Sequence, residues 1–415
     1  MDNYHTISIT NCLTTFKGFL YTEKIGMTML TMKRLLQREW VSRLVDALQP
    51  VFAILAALVI GAVMLLFLRT NHIEAYKALW EGAFGSSNAF AETLVKATPL
   101  LLVGLGICIS FRGDVINIGG EGQMIVGAIL ATWVGLTFTG LPGWLVIILA
   151  MLGGFLGGAI WGGIPGILKA YFRVNEILST VMMNAIAVQL MNFLLRGPMI
   201  DPSQAEFASK IPQTARLLEI FHLPRLVPTR LHLGAFIAVV LAILVYILLW
   251  RTTLGYRIRA VGQSLHASRY AGIKVQRYIV LALLLSGAFS GLAGATQVFG
   301  VNYRMITDGS ASGFTGSAGF NGIVAALFGQ LHPIWSIPAS ILFGALLVGA
   351  NSMQRMVQVP SAFVTALNGL VVVFVVSSEI WRRRRQRRRL AAGGQDEESP
   401  PSADKEKLPQ AGAAP

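Results

Sequence analysis

The residues best suited to chemistry are polar groups set among glycines in otherwise apolar surroundings. The first group is Asn117-Ile118-Gly119-Gly120-Glu121-Gly122-Gln123. Glycine permits close backbone approach and unusual dihedral angles. A broken membrane helix exposes backbone groups, tolerated only where protein or a water-filled cavity satisfies them. The stretch could then line a pathway, with Glu121 and Gln123 offering hydrogen bonds. A turn with a helix cap is the other reading, and these residues alone leave both open. Asn184, Gln189 and Asn192 form a second group, in which Gln189 and Asn192 share a helix face and Asn184 lies partly round from it. They suit a pathway or interhelical hydrogen bonds equally. The third group, 313–321, brings Gly316, Gly319, Phe320 and Asn321 to the start of another apolar stretch. Paired glycine-interrupted segments in a transporter point to a substrate site near the midplane, although no clear repeat relates these two stretches.

Bond-making chemistry is poorly served. The chain has no GxxxxGK[ST] phosphate loop, no GxSxG elbow and no HExxH metal spacing. Its two cysteines, Cys12 and Cys108, are too few for a disulfide or thiolate framework, and Cys108 reads as a small core residue. Glu121 stands nearly alone at membrane depth, so no pair of acids suggests a proton relay. The expectation is a chain that is not an enzyme and holds no metal or cofactor. Uphill transport through it would draw its energy from another subunit.

The elements that position these residues are apolar helices. Of 415 residues, 54% are hydrophobic and 13% charged, about half the charge of a soluble domain. A block of about 18 apolar residues crosses a hydrocarbon core of about 30 Å. Ten segments follow: 51–68, 94–111, 121–138, 144–163, 176–195, 234–250, 278–300, 316–330, 335–350 and 363–381. The fold expected is an all-α polytopic membrane protein with about ten transmembrane helices. The eighth, short and glycine-rich, reads as a half-helix or re-entrant piece.

Ten crossings put both ends on one side, and positive charge chooses the side. Lys33, Arg34, Arg38 and Arg43 precede the first segment, and seven arginines at 382–385 and 387–389 follow the last. Both termini are therefore expected in the cytoplasm. The net charge of +14 belongs to membrane flanks facing anionic headgroups rather than to nucleic-acid binding. Residues 1–50 form a cytoplasmic lead without a signal-peptide pattern, with Met27, Met29 and Met32 as alternative starts. Residues 51–381 form the transmembrane domain, with an external loop at 196–233. Residues 382–415 form a basic, then disordered, tail. Loop 251–277 carries six Lys/Arg and no acid, and 263–270 predicts a short helix closed by Gly272. It reads as a docking platform for a cytoplasmic partner or as a solvated basic loop.

Four stretches resemble one family: NIGGEGQMIVGA at 117–128, NEILSTVMMNAIA at 175–187, GYRIRAVGQSLHASRYAGIKV at 255–275 and GSAGFNGIVAALFGQLHP at 316–333. They are similar to permeases of bacterial ABC importers of the branched-chain amino acid, ribose and nucleoside group, closest to the nucleoside and simple-sugar branch. The first and third stretches are the specific ones. The chain departs from the pattern at Asn321, where relatives usually carry aspartate, and at Gln263 and Ser264, where asparagine is common.

The resemblance implies a multi-pass protein of the bacterial inner membrane. It implies an assembly with a cytoplasmic ABC ATPase that uses ATP-Mg, a second permease in a heterodimer, and an extracytoplasmic substrate-binding lipoprotein. It places Asn117, Glu121, Gln123, Asn184, Gln189, Asn192, Phe320 and Asn321 along the substrate path. It places Gly255, Arg259, Gly262, Ala267, Arg269, Ala271 and Gly272 in the ATPase-docking loop. Nucleosides are the first expectation for substrate and simple sugars the second. The alternative is an ion-coupled secondary transporter, which would need intramembrane acids or broken helices to hold Na⁺ or H⁺.

Overall fold

A computed structural model describes residues 55–67, 70–205 and 211–360, with scattered positions between 363 and 377. The expectations for the N-terminal lead, the arginine run and tail, and most of segment 363–381 fall outside these residues. The helices are α1 Leu55–Phe67, α2 His72–Phe84, α3 Ser87–Arg112, α4 Gly120–Thr137, α5 Gly143–Phe172, α6 Glu176–Arg196 and α7 Pro202–Ala205. They continue with α8 Gly234–Arg251, α9 Thr253–Gln263, α10 Leu265–Tyr270, α11 Val275–Gln297, α12 Ala311–Thr315, α13 Ala318–Phe328 and α14 Ser336–Val357. A π-helical turn, Val298–Asn302, extends α11. Among the described residues there is no β-strand, only isolated bridges such as Gln213 with Ile306.

Local sequence explains many helix starts. Side chains of Asn71, Ser86, Asn175, Thr252 and Ser264 each accept a backbone N–H from the first turn of the helix that follows. This satisfies donors that a helix cannot satisfy itself. Among the described residues six helices are long and apolar enough to cross a membrane: α3, α5, α6, α8, α14, and α11 with its π turn. Helices α1 and α13 are apolar but shorter. The most apolar windows of α3 and α11 are 83% and 78% buried, against 33% or less for α5, α6 and α8. So α3 and α11 form the centre, and the outer helices turn residues such as Ile160, Ile186, Phe193 and Leu244 outward. Apolar surface of that extent suits hydrocarbon better than water.

The most extensive helix–helix contact among the described residues joins α5 to α11. A Cβ placed on Gly158 would lie 2.1 Å from the Gly287 carbonyl oxygen, and one on Gly291 would lie 2.2 Å from that of Gly154. These glycines recur every fourth residue on each helix, the small-xxx-small spacing that lets membrane helices touch backbone to backbone.

The structure corrects several boundaries. Helix α5 continues nine residues beyond 163, because Gly162 and Gly166 keep packing against Leu283 and Val280 of α11. That contact carries the helix through Pro165. Helix α2 was not expected: it is too short and polar to read as a crossing, yet Asn71 caps it and Gly82 meets Ser352 of α14. Loop 251–277 contains two helices, α9 and α10, rather than one short helix over 263–270. The eighth segment, 316–330, contains one short helix, α13, and the single turn α12 precedes it, the two joined by Gly316 and Ser317 in left-handed conformation (φ 61° and 60°).

Candidate functional site

The glycine-broken stretches meet at the start of α4 and the start of α13. A Cβ on Gly319 would lie 2.5 Å from the backbone nitrogen of Glu121. Neither helix is capped by a side chain of its own N-cap residue; each is capped from elsewhere. Phe320 N–H, in the first turn of α13, donates to Glu121 Oε1 on α4 (3.2 Å). Gly122 N–H, in the first turn of α4, donates to Asn184 Oδ1 on α6 (2.8 Å). Asn184 Nδ2 in turn donates to the Ile118 carbonyl (2.9 Å). Two helix N-termini, each with a partial positive charge, converge on one carboxylate. Glu121, 1% exposed, answers the Phe320 amide through Oε1, while its Oε2 is buried without a hydrogen-bond partner among the described residues.

Behind this junction lies a closed amide cluster. Asn117 Nδ2 donates to Gln123 Oε1 (3.0 Å) and to Ser286 Oγ on α11 (2.8 Å). Gln123 Nε2 returns a bond to Asn117 Oδ1 (3.1 Å), which also accepts from Gly119 N–H (2.9 Å). Ile118 N–H reaches Thr180 Oγ1 (3.4 Å). Buried polar groups need partners, and these supply one another. Asn117 and Gln123 are therefore positioned to hold the break open, with their polar atoms turned into the protein.

The remaining expected path residues separate from this cluster. Asn192, lower-numbered neighbour of the exposed Phe193, accepts from Thr307 Oγ1 (2.8 Å), fastening α6 to the segment after the π turn. Gln189 is exposed on α6, and Phe320 is 49% exposed beside the junction. Asn321 is half-buried, its N–H bonded to the Ser317 carbonyl within α13 (3.0 Å). Thus Asn117, Glu121, Gln123 and Asn184 come together, whereas Gln189 and Phe320 present surface. Sequence reasoning missed Thr180, Ser286 and Thr307. Their signal was a hydroxyl in an apolar setting, visible for Ser286 in SGAFSG at 286–291.

The second candidate region is the helical pair α9–α10. Ile258 and Val261 are buried, and a Cβ on Gly262 would lie 2.1 Å from the Arg112 carbonyl oxygen at the end of α3. One on Gly255 would lie 2.0 Å from that of Leu248 on α8. Arg112 and Arg259 both stack over Trp250, at 4.9 and 5.6 Å. Gly255, Arg259 and Gly262 thus fix the platform to α3 and α8. Ala267, Arg269, Ala271 and Gly272 are exposed around α10, with Tyr270 beside them 95% exposed. Gly272 closes the turn at φ 74°, a conformation costly for other residues.

At the opposite end of the bundle, residues after α6 pair with the segment following the π turn. Leu217 N–H donates to Tyr303 O, and Leu223 N–H to Phe299 O, each at 2.9 Å. His232, before α8, accepts Gly234 N–H at Nδ1 (3.1 Å). Burial holds its imidazole down at about 4, so it stays neutral and keeps that acceptor. Among the described residues no group of His, Cys, Asp and Glu could hold a metal ion.

Residues 89–376 match the family described as branched-chain amino acid transport system, permease component. The guanosine ABC transporter permease NupP of Bacillus subtilis is 38% identical over 338 residues, 81% of this chain and 95% of that protein. The glucose ABC transporter permease TsgB13 of Haloferax volcanii is 33% identical over 344 residues, 80% of this chain and 88% of that protein. A second guanosine ABC transporter permease of Bacillus subtilis, NupQ, is 31% identical over 257 residues, 61% of this chain and 78% of that protein.

Proposed function

The chain belongs to the family of branched-chain amino acid transport system permease components, and from that premise we propose that it forms half of the path by which an ABC importer takes up nucleosides. It is a multi-pass permease of the plasma membrane, not an ion-coupled carrier. The guanosine transport named for NupP supports a purine nucleoside as substrate, and TsgB13 keeps simple sugars second. The occurrence of NupP and NupQ in one organism supports a second, related permease as partner. An ABC ATPase using ATP-Mg and a substrate-binding lipoprotein complete the proposed assembly.

One observation carries the mechanism: the α9–α10 platform is packed on the end of α3, and only residues 113–119 separate that end from the α4 junction. In the proposed topology of ten crossings with both ends cytoplasmic, α9–α10 faces the ATPase. A shift of the platform pulls on Arg112 and is delivered to Asn117 and Glu121. The exposed edge beside that junction, with Gln189 and Phe320, lines the path against the partner permease. Asn117 and Gln123 set its shape, and Asn321 lies next to it.

The test is uptake of labelled guanosine by cells with and without this chain. Uptake should depend on the chain and collapse when ATP is depleted under a preserved ion gradient. Uptake that survives ATP depletion would overturn the proposal. Excess glucose that abolishes guanosine uptake at the transporter would move the sugar to first place.

A further inference from the structure

A cleft of about 490 Å³ opens where α9 passes the start of α11, lined by Tyr256, Arg257, Ala271, Gly272, Ile273, Lys274, Arg277 and Tyr278. Arg257, Lys274 and Arg277 face it, and no acid lines it. Among the described residues none of the three makes an ion pair; Arg257 instead donates from Nη1 to the Tyr278 hydroxyl (2.8 Å). Three like charges gathered without a counter-ion repel one another, and an anion relieves that repulsion. A second cleft of about 450 Å³ lies nearby, but there Lys169 is already paired with Glu176. That cleft also holds Arg173 and Arg269, so what sets the first apart is that no acid lines it.

The cleft also lies at a particular depth. Its floor is the first turn of α11, which continues from Val275 as an apolar span. Tyr278 on that turn and the 63% exposed Tyr256 opposite are side chains suited to the membrane–water boundary. Ala271 and Ile273 add an apolar rim beside the charges. Cations at the lip, tyrosines at the boundary and an apolar rim fit a phosphodiester headgroup with its glycerol and first acyl carbons. We propose that this cleft binds the headgroup of an anionic phospholipid, through Arg257, Lys274 and Arg277, and so ties the platform to the membrane surface. The orientation it assumes, platform at the cytoplasmic face, rests on the proposed function.

The test measures lipid retained by the purified full-length chain in mixed micelles of phosphatidylglycerol and phosphatidylethanolamine, by mass spectrometry. This readout does not depend on uptake, so failure here leaves the transport assignment standing, and loss of nucleoside uptake leaves this result standing. Phosphatidylglycerol should be retained preferentially. Arg257→Gln, Lys274→Gln and Arg277→Gln should each weaken retention about fivefold, the effect of one basic residue at an anionic surface. Lys77→Gln, on the distant α2, should not. Because a neutral triple variant could misfold, the charge-preserving Arg257→Lys, Lys274→Arg, Arg277→Lys triple variant provides the second arm and should retain the lipid. Equal retention of both lipids, or full retention by the three glutamine variants, would overturn the proposal. Displacement by millimolar inorganic phosphate would assign the site to a soluble anion and overturn the lipid source. Complete displacement on assembly with the ATPase would assign the cations to that protein's acids and equally overturn it.

Discussion

Asn184 joins two backbone groups that have no other partner among the described residues. Its Oδ1 accepts Gly122 N–H at 2.8 Å, and its Nδ2 donates to the Ile118 carbonyl at 2.9 Å. Asn184→Leu keeps the volume and removes both bonds. Hydrogen bonds between membrane helices are worth about 0.6 kcal/mol each on average, so their simple loss would cost about 1 kcal/mol. The larger effect comes from what remains. The amide of Gly122 and the carbonyl of Ile118 are left unpaired where Asn184 is only 9% exposed, and a buried unpaired group costs about 1–3 kcal/mol. The expected loss is therefore about 3 kcal/mol. Asn184→Asp separates the halves: it keeps the acceptor for Gly122 but sets a second oxygen against the Ile118 carbonyl, and should also destabilise. Reversible unfolding of the detergent-solubilised permease, followed by circular dichroism, measures both. Gln189→Leu, on the exposed face of the same helix, is the control and should shift stability by less than about 0.5 kcal/mol. If Asn184→Leu proved as mild as Gln189→Leu, the capping of α4 by Asn184 would be refuted.

Four further outcomes follow from the same geometry. Glu121→Gln, which keeps an acceptor for Phe320 N–H, should be milder than Glu121→Ala, which should cost about 1–2 kcal/mol as a lost cap; equal effects in thermal unfolding would contradict the capping role. Gly158→Ala puts a methyl 2.1 Å from the Gly287 carbonyl oxygen and should cost about 1–3 kcal/mol or prevent accumulation, whereas Gly140→Ala, with nothing within 4 Å, should be silent in expression and melting. His232 has a folded pKa of about 4, below its ordinary 6.5; the unfolded chain takes its proton first, so stability is complete above about pH 6.5 and falls as pH drops towards 4, by about 3 kcal/mol. His232→Asn should flatten that slope in melting curves taken across the window. Ala271→Glu, on the exposed edge of the platform, should abolish nucleoside uptake while membrane abundance is unchanged; retained uptake would place ATPase contact elsewhere.

Much of the architecture was legible because membrane helices advertise themselves by apolar length. Segments 176–195 and 234–250 fall within a residue of α6 and α8. The glycine-broken segment near 316 was legible for the same reason that it is broken: Gly316 and Ser317 interrupt the apolar run. What could not be read was how far tertiary contact extends a helix, as at Pro165, or creates one, as in α2. The site was legible in its residue types but not in their pairing. Asn117 and Gln123 read as groups for a solute, yet Ser286, 169 residues beyond Asn117, and their own reciprocal bonds take up their polar atoms. Spacing along one chain cannot reveal that a side chain caps a helix 199 residues away, as Glu121 does for α13. The same holds for Gly255 and Gly262, whose lack of a side chain serves the underside of the platform rather than its exposed edge.

The seam between α5 and α11 bears on how such a protein can change over generations. At Gly158, Gly287 and Gly291 the opposing backbone leaves no room for even one further carbon, and every alternative amino acid carries one. These positions have no neutral neighbour in sequence space, so drift cannot pass through them singly. A matching change on the facing helix offers no escape either, since the obstructing atoms are backbone and remain whatever residue is installed. The seam is therefore inherited unaltered while the exposed faces of the bundle are free to vary.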